Sequence, residues 1–167
     1  AIVTSGPAST NAITGLLAAW QDSVPCIFIS GQARSDQLSY EKKVRQVGVQ
    51  EVNIVDIVKP ITKFAKCIFS AIEFESTLIE AIQIAKSGRP GPVWLDIPFD
   101  VQATMINPEE LKGYVPEVCS DKSNYDLETI KEILIKSQKP LVIFGQGIRT
   151  SDSINEFKEF LNLYKTP

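Results

Sequence analysis

Two polar segments, at residues 4–11 and 30–32, directly follow short apolar runs and carry residue types that contact ligands through backbone, hydroxyl and amide groups. A helix-forming stretch lies between them, so the apolar runs are predicted to be neighbouring parallel strands. Ligands bind outside the carboxyl ends of such strands, and both segments are therefore candidate ligand loops. The alternative is structural, with Gly6 and Pro7 turning the chain and a following serine or threonine capping the helix.

Nucleophilic chemistry finds little support in the chain. It contains no histidine, which excludes a Ser-His or Cys-His nucleophile formed within these residues. The three cysteines, Cys26, Cys67 and Cys119, are widely spaced. Cys26 and Cys67 lie in apolar, strand-like surroundings, which is typical of core residues in a reducing compartment and not of a metal site or a disulfide framework. We therefore expect a cytoplasmic protein.

The composition indicates a globular chain. Its 167 residues are 44% hydrophobic and 22% charged, and the net charge is -3 with both signs interspersed. No basic face is evident and no apolar run approaches the ~20 residues of a membrane span. We predict neither a nucleic-acid partner nor a membrane partner.

Hydrophobic periodicity predicts the elements that position the candidate loops. Strand and helix patterns alternate up to residue 100, which favours an α/β fold with a parallel sheet flanked by helices. The polar residues 33–48 have no stable period and are predicted to form a surface loop with some helical tendency. The predicted strands are 1–4, 26–30, 61–68 and 93–97, with VNIVDIV leading into the third, and the predicted helices are 9–21 and 73–86.

The character of the chain changes after Asp100. The next residues are irregular and rich in proline, which is typical of a linker. A helix, a strand, the turn GQGIR and a last helix then predict the start of a second Rossmann-like sheet, with the elements at 125–136, 141–144 and from about residue 151. GQGIR lacks the GxGxxG spacing, so a nucleotide contact and a plain turn both stay open. The predicted division is 1–103, a linker at 104–123, and 124–167.

Five short motifs occur in an order that resembles a known family. They are TSGP-x-x-TN, DSVP, SGQ, PITK and SGRPGPVWLDIP. The chain resembles the thiamine-diphosphate enzymes of the acetolactate synthase type, closely over 1–103 and more loosely over 137–149. The resemblance implies that 1–103 form the C-terminal part of a pyrimidine-binding domain and that 124–167 begin a central domain. It also implies that the chain is an internal part of a longer polypeptide.

The resemblance implies a decarboxylase or carboligase, a transferase acting on 2-keto acids such as pyruvate with thiamine diphosphate and magnesium. Some members also bind FAD. The family's catalytic glutamate lies upstream of Ala1 and its magnesium motif downstream of Pro167, so no catalytic residue or metal ligand is expected here and the isolated chain is predicted to be inactive. Because the family's active site lies between two subunits, a homodimer or homotetramer is expected.

Four residues match the family's cofactor-binding positions in two segments. Gly6, Pro7 and Asn11 match its glycine-rich turn and the asparagine of the following helix. Gln50 matches a glutamine close to cofactor and substrate, and its amide can both donate and accept hydrogen bonds. The structural alternative for Gln50 is a solvated loop residue. Two positions depart from the family pattern, which has a second glycine where this chain has Ala8 and an aromatic residue where it has Val49.

Three further residues carry roles by resemblance. Gln32, of SGQ, and Lys63, of PITK, match positions of the substrate channel, and Arg89, of SGRPGP, matches an arginine that reaches the flavin. A guanidinium with five donors suits a diphosphate. Lys63 is alternatively solvated, and Arg89 alternatively binds helix carbonyls or a carboxylate.

Two other classes of function remain open at this point. One is a non-catalytic flavin- or nucleotide-binding module, and the other is a structural or regulatory piece without a ligand of its own.

Overall fold

The computed structural model describes residues 1–40, 42–111, 113–115 and 125–164. The chain divides into two compact units, Ala1–Ser120 and Asp121–Pro167. The predicted linker at 104–123 lies partly outside the described residues, and its boundaries stay a prediction. Cys119 also lies outside them.

The first unit is built on a four-stranded parallel sheet. Its strands are β1 (Ile2–Val3), β2 (Ile27–Gln32), β3 (Phe64–Cys67) and β4 (Val93–Pro98), in the order β1-β2-β4-β3. Each neighbouring pair is parallel, with Ile2 opposite Ile29 and Ser30 opposite Asp96. The predicted α/β fold with a parallel sheet is confirmed.

Helices cover the sheet and differ from prediction in two places. They are α1 (Pro7–Asn11), α2 (Ile13–Gln21), α3 (Ile54–Val58), α4 (Phe74–Lys86) and α5 (Phe99–Gln102). The single helix predicted at 9–21 is two helices that meet at Ala12. The run VNIVDIV, predicted to lead into a strand, contains α3: the Asn53 side chain accepts a 3.2 Å hydrogen bond from the Asp56 amide and starts the helix. The strand predicted at 61–68 forms only over Phe64–Cys67, because Lys59–Ile61 make a 3-10 helical turn before it.

The core lies on both faces of the sheet. On one face, Phe28 and Trp94 stack with ring centroids 5.2 Å apart and pack with Leu16 of α2 and two residues of α3. On the other face, the strand residues pack against α4, in a cluster of Ile68, Ala81, Ala85, Val93 and Leu95. Cys67 is buried, Cys26 is half-buried, and both are free thiols.

The second unit is helical in its described part. It contains α6 (Leu127–Lys136), α7 (Gly147–Thr150) and α8 (Ile154–Tyr164). The strand predicted at 141–144 is not formed: Leu141 and Ile143 are exposed, and the described residues of this unit offer no second strand to complete its hydrogen bonds. The described part therefore does not show the second Rossmann-like sheet that the sequence predicts.

Candidate functional site

The turn between β1 and α1 is shaped by Gly6. This residue has φ 62° and ψ -124°, a conformation that a residue with a Cβ rarely adopts. Ser9 Oγ donates to the Gly6 carbonyl at 2.6 Å, and Thr10 Oγ1 donates to the Pro7 carbonyl at 3.0 Å. Neither hydroxyl caps an α1 amide. The alternative that these hydroxyls serve as the helix cap is therefore wrong, and they fix the turn instead.

Gln50 is far from Gly6 in the sequence but contacts it in the fold. A Cβ built on Gly6 would come 2.4 Å from the Gln50 carbonyl oxygen and 3.0 Å from the Gln50 Cβ. Gln50 is exposed and has φ 59°, which is unusual for a residue other than glycine. Both residues line one open pocket with Pro7, Thr10 and Val49. The structure thus brings Gly6, Pro7 and Gln50 together at the carboxyl edge of the sheet.

Glu51 makes several hydrogen bonds within the segment that joins β2 to α3. We call this segment the β2–α3 connection, and the structure describes it at residues 33–40 and 42–53. Glu51 Oε1 accepts hydrogen bonds from the Ser39 amide (2.5 Å) and the Ser39 Oγ (2.6 Å), and its Oε2 accepts from the Val47 amide (2.8 Å). Partial burial raises the pKa of the Glu51 carboxyl, but the hydrogen bonds from Ser39, Val47 and Gly48 outweigh it and hold that pKa below its usual value.

A second carboxylate anchors the start of the same connection. The Ser35 amide donates to Asp100 Oδ1 at 2.9 Å, and the Ser35 hydroxyl donates to Asp100 Oδ2. The Ser35 hydrogen bonds lower the pKa of Asp100. The β2–α3 connection is therefore held at two points before it reaches Gln50.

A buried polar network lies beneath this connection and centres on Asp96 of β4, which has no exposed surface. Ser30 Oγ donates to Asp96 Oδ1 at 2.5 Å and accepts from Trp94 Nε1 at 2.8 Å. Gln32 Nε2 donates to Asp96 Oδ2 at 2.9 Å, and the Tyr40 hydroxyl reaches the same oxygen at 3.4 Å. Burial raises the pKa of Asp96 to about 6, although these donors favour its charged form.

The predicted channel residue Gln32 belongs to this interior network. It is 4% exposed, its Nε2 also donates to the Val52 carbonyl at 2.6 Å, and its Oε1 accepts from the Ala33 amide at 2.9 Å. These three partners fix which way the amide points. Its observed contacts are structural, and its role in the channel stays a prediction.

Cys67 and Tyr40 adjoin Asp96. Burial, together with the neighbouring Asp96 carboxylate, raises the pKa of the Cys67 thiol to about 12. Burial likewise raises the pKa of Tyr40, with Cys67 and Asp96 adding to the effect. Both groups are therefore neutral near pH 7, and the geometry gives neither of them a nucleophilic role.

Asn11 is the last residue of α1 and is exposed. It lies at the far end of this five-residue helix from Gly6 and is not among the residues that line the Gly6–Gln50 pocket.

The second predicted ligand loop lines a separate open groove, also at the carboxyl edge, whose lining includes Thr4, Ser5, Gly31, Phe99 and Gln102.

Lys63 and Arg89 lie at the opposite, amino-terminal edge of the sheet. Lys63 directly precedes β3, and its Nζ donates to the Ser87 carbonyl at 2.5 Å. Burial lowers the pKa of Lys63. Arg89 lies between α4 and β4, is exposed, and its Nε donates to Ser23 Oγ at 2.7 Å. The structure therefore does not bring these two residues together with Gly6 and Gln50.

The second unit has an open pocket of its own around the GQGIR turn. Its lining includes Phe144, Gly145, Gln146, Arg149 and Phe157, and the two phenylalanine rings lie 4.8 Å apart. The second glycine of GQGIR begins α7, a helix of four residues. A short helix start of this kind gives no independent sign of a nucleotide site.

Neither a metal-binding cluster nor a membrane-spanning helix is found among the described residues. Across 1–40, 42–111, 113–115 and 125–164, no group of three or more His, Cys, Asp or Glu side chains is placed to hold a metal ion. Over those same ranges, no helix has the length and apolar character to cross a membrane.

Sequence reasoning missed Glu51 and the Asp96 network. Asp96 had a signal, because a lone carboxylate inside the apolar run VWLDIP must be buried with its strand and must find donors there. Glu51 had no comparable signal, since its partners Ser39 and Val47 lie in a segment without periodicity.

Comparisons with known proteins agree with this architecture. Residues 1–57 match the family described as thiamine pyrophosphate enzyme, N-terminal TPP binding domain. The chain is 36% identical to the acetolactate synthase large subunit of Haemophilus influenzae, over 97% of this chain and 29% of that protein. It is 37% identical to the acetolactate synthase large subunit of Lactococcus lactis subsp. lactis, over 99% of this chain and 28% of that protein.

A relative named for a different activity is about as similar. Glyoxylate carboligase of Escherichia coli O157:H7 is 36% identical over 98% of this chain and 27% of its own length. The chain thus spans less than a third of the length of each of these curated relatives.

Proposed function

Because this chain belongs to the thiamine-diphosphate-dependent enzymes of the acetolactate synthase type, we propose that it forms part of a carboligase that decarboxylates a 2-keto acid such as pyruvate and transfers the resulting acyl group to an acceptor. The observation that carries the proposal is the contact between Gly6 and Gln50. Two segments that resemble cofactor-contacting segments of the family meet there, at the carboxyl edge of a parallel sheet.

The residues around this contact fit a flat aromatic heterocycle. The missing Cβ at the buried Gly6 lets the Gln50 backbone pack directly against the turn, and the exposed Gln50 amide offers one donor group and one acceptor at the pocket. Pro7 and Val49 add apolar surface to the same pocket. We propose that Gly6, Pro7 and Gln50 bind the pyrimidine ring of thiamine diphosphate, with Asn11 at the end of the same turn-and-helix segment.

Thiamine diphosphate, when bound, supplies the electron sink for decarboxylation and acyl transfer. The part of this chain is to bind and orient. The Gln50 amide would donate a hydrogen bond to a carbonyl oxygen of the substrate, and the Gly6 turn would contact the ring. Val49, which is 88% exposed, stands where the family has an aromatic residue.

The remaining partners are proposals of the same kind. Magnesium is proposed to be bound by parts of the protein outside these residues. FAD is proposed to contact Arg89, whose exposed guanidinium is held by Ser23 and has further donors to offer. Gln32 and Lys63 are proposed to belong to the substrate channel. A homodimer or homotetramer in the cytoplasm is proposed for the whole protein, and the free thiols Cys26 and Cys67 suit a reducing compartment.

The test compares Gln50→Ala with Gln21→Ala in the full-length protein that contains this sequence. Gln21 is an exposed glutamine at the end of α2, outside the pocket. With pyruvate, thiamine diphosphate and magnesium, Gln50→Ala is expected to lower kcat/KM for carboligation by roughly 10- to 1000-fold, because a hydrogen bond formed mainly in the transition state is lost. Gln21→Ala is expected to match the wild type. Unchanged kinetics in Gln50→Ala would return Gln50 to the role of a solvated loop residue.

A further inference from the structure

We propose that Glu51 is a positioning residue for Gln50, an inference that rests on the proposed function. The two residues are consecutive, but only Gln50 is placed to meet a ligand. The Glu51 carboxylate faces back into the β2–α3 connection, where it accepts three hydrogen bonds from Ser39 and Val47. Glu51 therefore holds two earlier points of the chain, Ser39 and Val47, close to Gln50.

The backbone around Gln50 needs such support. The Glu51 amide donates to the Gly48 carbonyl at 3.3 Å, which closes a four-residue turn with Gln50 at its third position. A positive φ at this position is the mark of a type II turn, and glycine or asparagine usually occupies it. Gln50 instead adopts φ 59°, a strained conformation for a residue with a Cβ, which persists only when its surroundings determine it.

The start of the turn, at Gly48, is also held by contacts with residues other than Glu51. The Gly48 amide donates to the Gln37 carbonyl at 2.9 Å, and a Cβ built on Gly48 would come 2.8 Å from the Cβ of Ala33. Beyond Gln50 the chain is held by the Glu51 carboxylate, by the contact with Gly6 and, at the next residue, by the 2.6 Å hydrogen bond from Gln32 Nε2 to the Val52 carbonyl. Of these, Glu51 is the side chain that belongs to the turn itself, so its loss is expected to release Gln50 from its left-handed conformation against Gly6.

The chemistry of the carboxylate makes the role specific. All three of its partners are donors, so both of its oxygens must accept. In Glu51→Gln one oxygen can still accept from Ser39, but the new amino group faces the Val47 amide, and two donors then oppose each other. This variant keeps the size of the side chain and removes the hydrogen bond to Ser39 or the one to Val47.

The test uses two readouts on the full-length protein. The first is the rate of limited trypsin cleavage, because the described part of the β2–α3 connection carries four exposed tryptic sites, at Arg34, Lys42, Lys43 and Arg45. The second is steady-state kinetics with pyruvate, thiamine diphosphate and magnesium. Glu80→Gln, on α4 and outside the connection, is the matched control. Ser39→Ala is a milder companion that removes one of the three hydrogen bonds and leaves the carboxylate in place.

We expect Glu51→Gln to be cleaved at these sites several-fold faster than the wild type and to lose roughly 10- to 100-fold in kcat with KM for pyruvate changed by about twofold or less. Ser39→Ala is expected to have a cleavage rate and a kcat between those of Glu51→Gln and the wild type. Glu80→Gln is expected to match the wild type in both. Faster cleavage without a change in kcat would make Glu51 a purely structural residue and overturn the proposal, and so would an unchanged cleavage rate.

The two readouts also separate this proposal from the proposed function. A wild-type protein without carboligase activity contradicts the proposed function, whatever the cleavage rates are. An active wild type whose kcat is insensitive to Glu51→Gln and Ser39→Ala contradicts the positioning role alone.

Discussion

The backbone of Gln50 occupies the space in which a side chain at Gly6 would lie, since a Cβ built on Gly6 comes 2.4 Å from the Gln50 carbonyl oxygen. Both residues have a positive φ, of 62° and 59°. Two unusual backbone conformations are thus paired across one pocket. Such pairing points to a surface that is shaped for a ligand and not only for packing.

Gly6→Ala is expected to destabilise the protein by roughly 2–4 kcal/mol, because the new Cβ both opposes a positive φ and collides with the Gln50 backbone. Gly15→Ala is the matched control: Gly15 lies within α2 and a Cβ there would meet nothing within 4 Å, so alanine is expected to be neutral or to stabilise by up to ~1 kcal/mol. Thermal denaturation of the full-length variants measures both effects. Equal Tm values for the two would show that the Gly6–Gln50 contact is not tight.

Gln50→Gly and Gln50→Ala separate the backbone of this residue from its amide. Glycine adopts φ 59° without strain, so Gln50→Gly is expected to be more stable than Gln50→Ala by about 1 kcal/mol. Carboligation should be equally impaired in both, because both lack the amide. The measurement is Tm together with kcat/KM for each variant. Recovery of activity in the glycine variant alone would mean that the amide is not used.

The pH dependence of stability is expected to reveal Asp96. Its folded pKa of about 6 lies above the ~3.9 of an unfolded aspartate, so the native state favours the protonated carboxyl. The contribution of this raised pKa to the free energy of unfolding is fully present below about pH 4 and is lost as the pH rises through about 6. Between pH 4.5 and 7.5 the wild type should lose about 2 kcal/mol relative to Asp96→Asn, which cannot titrate.

Tm values of the wild type and of Asp96→Asn at the two pH values test this expectation. Their difference isolates Asp96, because Glu51 and Asp100 have lowered pKa values and contribute stability of the opposite pH dependence in both proteins. The wild-type Tm minus that of the variant should be larger at pH 4.5 than at pH 7.5. A difference that is constant with pH would mean that Asp96 has an ordinary pKa.

Arg89→Ala tests the proposed flavin contact. If Arg89 binds the FAD diphosphate, the purified wild-type protein carries a flavin absorption spectrum that is reduced or lost in the variant. Ser23→Ala is a useful companion, since it removes the 2.7 Å hydrogen bond that holds the guanidinium and leaves its charge. A colourless and active wild type would reject FAD as a cofactor.

The sheet and its longest helix were predictable because their hydrophobic periods are local. Residues 26–30 and 93–97 predicted β2 and β4, and residues 73–86 predicted α4. The run VNIVDIV was predicted only to lead into a strand, because a short apolar run fits helix and strand alike, and the Asn53 cap makes it a helix. Residues 141–144 have the composition of a strand, but composition supplies no partner strand.

The candidate site was only partly predictable. The resemblance pointed to Gly6 and Gln50 separately, whereas their contact depends on the fold of the β2–α3 connection, which Glu51 and Asp96 hold through partners distant in sequence. The separation of Lys63 and Arg89 from this pocket follows from topology. Both precede their strands, and the amino ends of parallel strands lie at the edge opposite the ligand loops.

The most direct test of the account is the reaction itself. The full-length protein that contains this sequence should be incubated with pyruvate and magnesium, with and without thiamine diphosphate, while release of carbon dioxide and formation of a new carbon–carbon bond are followed. We predict both products only in the presence of thiamine diphosphate, and the loss of both in Gly6→Ala. Saturating thiamine diphosphate without any decarboxylation of pyruvate or another 2-keto acid would contradict the account.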